Sequence, residues 1–289
     1  MEVSVSSLNT YPIKGCAPIA QQQANLGEHG LEYDREWMLV DDKNGFITQR
    51  RFPGLALIDV ALTETALRAT TADHGEVSIP LDPFYIDGVY TVDVNFFNKS
   101  GTGINQGSEA SSFFSDYLGK SVRLLRSAQP RNIKEACRQD GASQTIAFAD
   151  GFPILLTSEQ SLAALNRELA EPIPMDRFRP NIVVSGDELP AYEEDYWRTL
   201  KIGDMSAYVV RACARCPVPN IDQETGIQNR AIPVTKALKQ TRGGIDPIGE
   251  ASGYFFGQNI THVLQPGVTI KVGDKVSVVE RGARPNIIF

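Results

Sequence analysis

The sequence has few of the features that mark membrane proteins or nucleic-acid-binding proteins. No stretch approaches the roughly 20 consecutive apolar residues that a membrane helix needs, so we predict no membrane span. Lysine and arginine together number 28 against 35 acidic residues, a net charge of −7, and no long basic run could follow a phosphate backbone. We therefore expect no nucleic-acid partner.

Cysteine is also scarce, with 4 among 289 residues, which is too few for a disulfide scaffold in a chain of this length. Cys16 and Cys137 are expected to be buried thiols. The first five residues lack the charged-then-apolar pattern of a signal peptide, so we predict a cytoplasmic location. Repeats, low-complexity tracts and a glycine-rich phosphate loop are missing as well.

The overall composition is typical of a globular protein, with 42% hydrophobic and 22% charged residues. The length favours two packed units, and a polar stretch from Arg126 to Asp150 reads as a long connection between them. We predict a boundary near residues 120–130, with one unit at 1–122 and the other at 123–289.

The first unit is predicted to be rich in strands. The predicted strands are Val3–Leu8, Glu36–Val40, Leu55–Leu62, Val77–Ile79 and Val89–Phe96. Asn44-Gly45 indicates a hairpin turn because both residues tolerate positive φ. A helix through Phe113 and Leu118 should end at Gly119.

The second unit is predicted to combine one clear helix with short strands. Thr157-Ser158-Glu159-Gln160 is typical of a helix start, and Leu162, Leu165 and Leu169 follow at helical spacing. The predicted strands are Asn181–Ser185, Leu200–Ile202, Ala207–Ala212, Val268–Val272 and Lys275–Val279. Glycine-aspartate turns between them favour a small barrel or rolled sheet. The fold class is therefore mostly β with helices, α+β.

The segment Cys213-Ala214-Arg215-Cys216 is the main candidate for chemistry, because an apolar strand should deliver it into a loop beginning at Pro217. Arg215 beside Cys216 would favour the thiolate, which binds soft metals or attacks electrophiles. Half a zinc site, a redox-active dithiol and inert buried thiols remain alternatives.

A longer set of motifs resembles the MOSC family, in the branch of the mitochondrial amidoxime-reducing component and bacterial proteins that detoxify N-hydroxylated bases. The matching blocks, in chain order, are Tyr11–Cys16, Tyr33–Trp37, Phe178–Ile182, Cys213–Cys216, Ile221–Gly226 and Phe256–Asn259. The resemblance implies an N-terminal β-barrel-like module packed on a MOSC β-barrel domain, with a molybdenum–molybdopterin cofactor at their interface.

The resemblance also assigns roles to particular residues. Cys216 falls on the molybdenum ligand position, and Cys213 becomes its neighbour. The implied cofactor-binding positions are Lys14, Gly15, Arg35, Gly151, Phe152, Arg179, Asn181, Ala214, Arg215 and Asn259. Arginine and lysine suit the cofactor's phosphate. Asp222 is the second candidate catalytic residue with Cys216, and it could either cap the turn at Thr225-Gly226 or relay protons.

Two functions follow from the resemblance. The first is a molybdenum-dependent reductase of small N-hydroxylated compounds, in which the cofactor supplies the redox chemistry. The sequence has no four-cysteine run for an iron–sulfur cluster, so electrons would come from a separate ferredoxin- or cytochrome-type protein with its reductase. The second is a non-catalytic carrier of molybdenum cofactor or sulfur. A family member that keeps the fold without the cofactor is a third possibility.

Overall fold

The computed structural model describes residues 2–86, 89–96, 99–228, 233–245 and 252–282. Strands predominate in these ranges and helices are attached to them, which confirms the predicted α+β fold class. The elements up to residue 127 are β1 (Ser4–Thr10), β2 (Ile19–Gln21), β3 (Gln23–Gly27), β4 (Gly30–Leu31), β5 (Trp37–Asp41), β6 (Asp59–Leu62), β7 (Ala66–Thr71), β8 (Gly75–Pro80), β9 (Thr91–Phe96), β10 (Lys99–Asn105), α1 (Gly107–Leu118) and β11 (Val122–Ser127). The elements after it are β12 (Arg131–Asn132), β13 (Thr145–Ile146), β14 (Ile154–Ser158), α2 (Glu159–Asn166), β15 (Ile182–Ser185), β16 (Trp197–Ile202), β17 (Met205–Ala214), α3 (Val234–Arg242), β18 (Gly243–Ile245), β19 (Ser252–His262), β20 (Thr269–Lys271) and β21 (Val276–Arg281).

The first half builds its own core from two small sheets and helix α1. One sheet has the order β5-β11-β10-β9 and the other the order β6-β7-β8. Trp37, Leu124 and Phe114 are fully buried in the core between these elements. Because side chains alternate along a strand, Trp37 and Leu39 of β5 lie in this core, whereas Met38 and Val40 lie in a second apolar cluster with Phe148.

The largest sheet joins the start of the chain to its second half. Its order is β2-β1-β15-β14-β19-β17-β16-β21, with β18 beside β19. Strand β1 pairs antiparallel with β15, and β3 pairs antiparallel with β20. Strands β1 and β3, near the start of the chain, therefore pair with strands from beyond residue 122. The predicted division between residues 122 and 123 stays a prediction.

Several local predictions are confirmed because neighbouring residues determine them. Asn44 has a φ of 61°, and Val40 bridges Phe46 across the hairpin turn. Helix α1 ends at Gly119, whose φ of 60° is easy for glycine. Helix α2 begins at Glu159 and is capped by Ser158, whose hydroxyl accepts a hydrogen bond from the Ser161 N–H.

Other predictions need correction. The run Leu55–Leu62 is not one strand, because a 3₁₀ helix at Pro53–Leu57 precedes β6; proline lacks an N–H and favours the first turn of a helix. The predicted long connection holds the paired strands β12 and β13. Leu169 lies beyond the end of α2. The elements that were not predicted also include helix α3 and strands β2, β3, β4, β7, β10, β11, β14, β18 and β19.

The helices in the described ranges are all too short or too polar to cross a bilayer. Cys16 and Cys137 are buried, as predicted.

Candidate functional site

The pairing of β1 with β15 brings two distant segments of the chain together. The Asn9 N–H donates to the Asn181 carbonyl at 2.9 Å, so the residues that leave β1 meet those that enter β15. These segments are Tyr11–Gly15 and Arg179–Asn181. We call the junction between them the seam.

Tyr11 is a buried aromatic platform within the seam, only 1% exposed. The Arg35 and Arg179 guanidinium carbons lie over its ring, 4.2 and 4.3 Å from the centroid. The Tyr11 hydroxyl donates to the Pro180 carbonyl at 3.2 Å. Burial raises the pKa of Tyr11 to about 12, so the ring stays neutral and its face attracts both cations.

Arg35 and Arg179 share a backbone conformation that arginine seldom adopts. Their φ angles are 52° and 55°, in the left-handed region. Such a residue costs on the order of 1–3 kcal/mol and persists only when its surroundings enforce it. Here the Arg35 N–H donates to the Tyr11 carbonyl at 2.8 Å, and the Arg179 N–H to the Asp176 carbonyl at 2.9 Å. Strain at both arginines is typical of a functional site.

Asn181 ties Arg35 to the sheet. Its Oδ1 accepts from Arg35 Nη1 at 3.0 Å and from the Leu155 N–H at 3.1 Å. Its Nδ2 donates to Asp34 Oδ1 at 2.9 Å and to the Asn9 carbonyl at 3.2 Å. Both amide hydrogens and the carbonyl oxygen are thus used within the protein. In this geometry Asn181 acts by holding Arg35.

Arg35 and Lys14 are linked by the segment that precedes Gly151. Arg35 Nη2 donates to the Arg179 carbonyl at 3.0 Å, and the Arg35 carbonyl accepts from the Phe148 N–H at 2.9 Å. Lys14 Nζ donates to the Phe148 carbonyl at 2.7 Å and forms an ion pair with Asp150. The predicted residues Lys14, Arg35 and Arg179 therefore form one group, which we call the cation cluster.

The electrostatics of the cation cluster favour an anion. Burial lowers the pKa of Lys14, Asp150 opposes this shift, and Arg35 adds to it. Burial likewise lowers the pKa of Arg179, and repulsion from Arg35 contributes. Like charges are thus brought together where water screens them poorly. An anion placed among them would relieve that repulsion.

The two predicted glycines of the site differ in their surroundings. Gly15 has a φ of 95°, and a side chain there would meet Leu55 at 3.0 Å. A side chain at Gly151 would meet no atom within 4 Å among the described residues, so this backbone borders open space. Phe152 packs against the apolar cluster that contains Cys137.

The cysteine segment lies where strand β17 ends, as predicted. Cys213 is in the strand, Cys216 is in the loop beyond it, and both are only partly buried. Ala214 pairs with Phe255 of β19 and exposes its side chain. Burial raises the pKa of the nearby Tyr254 hydroxyl, and the charge of Cys216 raises it further.

Arg215 contacts the sulfur of Cys213, whereas we predicted that it would act on Cys216. Its Nη1 donates to Cys213 Sγ at 3.0 Å and its Nη2 to the Phe178 carbonyl at 2.5 Å. The Arg215 N–H also donates to the Tyr254 carbonyl at 2.8 Å. Arg215 therefore connects the cysteine segment to the residue before Arg179.

Asp222 is built into a turn. Its Oδ1 accepts from the N–H groups of Glu224 and Thr225 at 3.0 and 2.8 Å, and its Oδ2 accepts from Arg177 Nη2 at 2.7 Å. Burial would raise the pKa of Asp222, but the Thr225 hydrogen bonds and the Arg177 charge outweigh it, so the pKa is lowered. Of the two interpretations of Asp222, the geometry supports the turn cap.

Asn259 lies in strand β19, opposite Leu155 of β14. Its amide contact to the Ala212 carbonyl is long, at 3.5 Å. In the part of the chain that the structure describes, no three histidine, cysteine, aspartate or glutamate side chains group together as metal ligands. A metal at this site would need ligands from a cofactor besides a protein thiolate.

Sequence reasoning missed two glutamines that border the seam. Gln49 Nε2 donates to the Gly15 carbonyl at 2.6 Å, and Gln223 Oε1 accepts from Arg179 Nη1 at 3.3 Å. Gln223 is part of the Ile221–Gly226 block, but neither glutamine has a sequence signal that predicts its partner.

Comparison with known proteins gives a consistent family pattern. The profile described as "MOSC N-terminal beta barrel domain" matches residues 2–121, and that described as "MOSC domain" matches residues 143–277. The chain is 32% identical over 285 residues to mitochondrial amidoxime-reducing component 1 of Mus musculus, covering 94% of this chain and 81% of that protein. It is 31% identical over 283 residues to the Homo sapiens protein of the same name, covering 94% and 82%. It is 27% identical over 292 residues to molybdenum cofactor sulfurase of Danio rerio, covering 94% of this chain and 34% of that protein.

Proposed function

We propose, because the chain belongs to the MOSC family, that it binds a molybdenum–molybdopterin cofactor and reduces N-hydroxylated compounds with electrons from a separate protein. The observation that carries the proposal is the cation cluster of Lys14, Arg35 and Arg179 over and beside the buried Tyr11 ring. Its charge suits the cofactor's phosphate, and the neighbouring cysteine segment offers the thiolate.

The residues present fit such a cofactor in three respects. Burial lowers the pKa values of Lys14 and Arg179, and the charge of Arg35 lowers both further, so an anion placed among the three cations would be bound favourably. Open space borders the Gly151 backbone, where a ligand could approach closely. Cys216 is only partly buried, so its thiol is accessible.

Each residue then has a definite task. Arg35 and Arg179 would bind phosphate oxygens by charge-assisted hydrogen bonds, and Lys14 would supply a further positive charge. Cys216 would provide the protein ligand to molybdenum. Asp222 would order the loop beyond Cys216 by capping its turn.

When bound, the cofactor would supply the two-electron chemistry that converts an N-hydroxyl compound and two protons into the amine and water. The chain's part is to bind and orient the cofactor and the substrate. We expect a ferredoxin- or cytochrome-type donor with its reductase, and we keep the cytoplasmic location as a prediction, although the animal relatives are named as mitochondrial.

A second candidate function is supported by the similarity to a molybdenum cofactor sulfurase, which suggests a carrier of the cofactor or of sulfur. A carrier would release its cofactor readily, whereas a reductase would retain it through turnover.

The test is turnover by the loaded protein with a small hydroxylamine or amidoxime and a reduced dye as artificial electron donor. The expected result is formation of the amine, with the cofactor still bound afterwards. Transfer of the cofactor to a recipient protein without any amine formation would favour the carrier and contradict the reductase.

A further inference from the structure

Two turns from opposite halves of the chain meet through a pair of side-chain amides. Gln49 lies in the turn after Thr48 and is 3% exposed, and Gln223 lies in the turn that Asp222 caps. Gln49 Nε2 donates to Gln223 Oε1 at 3.0 Å, and Gln223 Nε2 lies 3.4 Å from Gln49 Oε1. The contact is reciprocal and spans 174 residues of sequence.

Each amide of the pair also holds a residue of the seam. Gln49 Nε2 donates to the Gly15 carbonyl at 2.6 Å, and Gln223 Oε1 accepts from Arg179 Nη1 at 3.3 Å. Gln223 Nε2 further donates to the Ile221 carbonyl at 3.1 Å, which ties it to its own loop. The two amides therefore form a continuous path from the Gly15 segment to the Arg179 guanidinium.

We propose that Gln49 and Gln223 form a latch that positions Arg179 for an anionic ligand and closes the Asp222 turn onto the first half of the chain. The inference rests on the proposed function, since it concerns the cation cluster that would hold the cofactor's phosphate. Both glutamines are positioning residues, because they act through Arg179 and Gly15.

The chemistry of the pair explains why amides are needed at both places. A glutamine amide donates and accepts at once, so each member can bind its partner and a site residue together. A side chain of the same size without hydrogen-bonding groups would fill the space and leave the Gly15 carbonyl and the Arg179 guanidinium without these bonds. The free energy lost would come from the orientation of Arg179 rather than from packing.

The test uses the full chain in its cofactor-free form and inorganic phosphate as the probe, with affinity measured by calorimetry. Gln49→Met and Gln223→Met keep the size of the side chain, carry no charge and remove the amide. Each should weaken phosphate binding about tenfold, because Gln223→Met removes one hydrogen bond to the charged Arg179 and Gln49→Met releases Gln223 from the position in which it makes that bond. The double variant should bind about as weakly as either single variant, because either change opens the same latch.

Gln228→Met is the matched control, since it makes the same change at an exposed position near the Asp222 turn. It should leave phosphate affinity unchanged. Thermal unfolding of every variant separates positioning from folding, and Gln223→Met keeps the test valid if Gln49→Met does not fold. Phosphate affinity equal to wild type in both variants would overturn the latch, as would the absence of phosphate binding by the wild type.

Molybdenum content of the wild type from a cofactor-competent host distinguishes this inference from the proposed function. Molybdenum bound with no effect of the glutamine variants on phosphate affinity overturns only the latch. The predicted affinity pattern in a protein that binds no molybdenum supports the latch and contradicts the proposed function.

Discussion

The cation cluster and the buried pair of Arg242 with Asp195 hold their charges in opposite ways. Arg242 is 1% exposed, and its Nη2 donates to the two Asp195 carboxylate oxygens at 3.0 and 2.7 Å. Gln258 donates to Asp195 Oδ1 at 2.7 Å, and the guanidinium lies 4.1 Å from the Tyr192 ring centroid. Each charge of this pair is matched within the protein.

In the cation cluster the positive charges exceed the negative ones. Asp34 pairs with Arg35, and Asp150 pairs with Lys14, but the Asp150 side chain is 70% exposed. Arg179 instead donates to the Cys16 carbonyl at 2.7 Å and to Gln223. The pair of Arg242 and Asp195 therefore suits a role in the fold, whereas the cation cluster carries the net positive charge that the proposed cofactor site requires.

The largest expected effect on folding is at the buried pair of Arg242 and Asp195, which we call the balanced pair. Arg242→Ala should lower the free energy of unfolding by about 3–5 kcal/mol, because it leaves Asp195 buried without its partner. Chemical denaturation measures this, and Lys239→Ala, at an exposed position of the same helix, is the control. A loss below about 1 kcal/mol would mean that the pair is not a structural one.

Substitution in the cation cluster should have the opposite effect, because it should weaken cofactor binding more than it lowers the free energy of unfolding. Arg179→Ala should weaken cofactor retention by about 1.5–3 kcal/mol, the value of a charge-assisted hydrogen bond, while the cofactor-free protein loses about 1 kcal/mol of stability or less. Cofactor release during dialysis and denaturation measure the two quantities.

Arg179→Gly is the matched control for that variant. It removes the same charge but accepts a φ of 55° without strain, so it should retain the cofactor as poorly as Arg179→Ala and be more stable by about 1 kcal/mol. Retention equal to wild type in both variants would contradict the ligand-binding role of the cluster.

The smallest effect concerns Glu194, which is buried beside the balanced pair and accepts from Ser158 and Ser161. Burial raises its pKa above the ordinary value of 4.5, although the serine hydrogen bonds oppose the shift. A raised pKa in the folded state means that stability is greatest below the ordinary value and is lost as pH rises through the raised one.

Glu194→Gln removes this titration. The melting temperature of the wild type should therefore fall relative to that of Glu194→Gln as the pH rises above 4.5. Parallel melting-temperature profiles for the two proteins would show that Glu194 has no raised pKa.

The features that could be predicted from the sequence are those fixed by near neighbours. Asn44-Gly45 forms its hairpin, Gly119 ends α1, and β17 delivers the cysteine segment into a loop. Each depends on backbone preferences of a few consecutive residues. The run Leu55–Leu62 shows the limit, because its apolar residues suit a 3₁₀ helix as well as a strand.

The features that could not be predicted depend on contacts between distant residues. The left-handed backbone of Arg35 and Arg179 is enforced by the seam, since arginine has no preference for it. The hydrogen bond from Arg215 to Cys213 and the pairing of Gln49 with Gln223 likewise depend on how distant segments pack together. The motifs predicted which cations gather, but not what holds them.

The most direct test of the account is the molybdenum content of Cys216→Ser and Cys213→Ser, measured by elemental analysis with pterin fluorescence after expression in a cofactor-competent host. If Cys216 is the metal ligand, Cys216→Ser loses molybdenum and Cys213→Ser keeps most of it, with both proteins folded. Equal molybdenum content in the two variants would contradict the assignment of Cys216, and its absence from the wild type would contradict the proposed function.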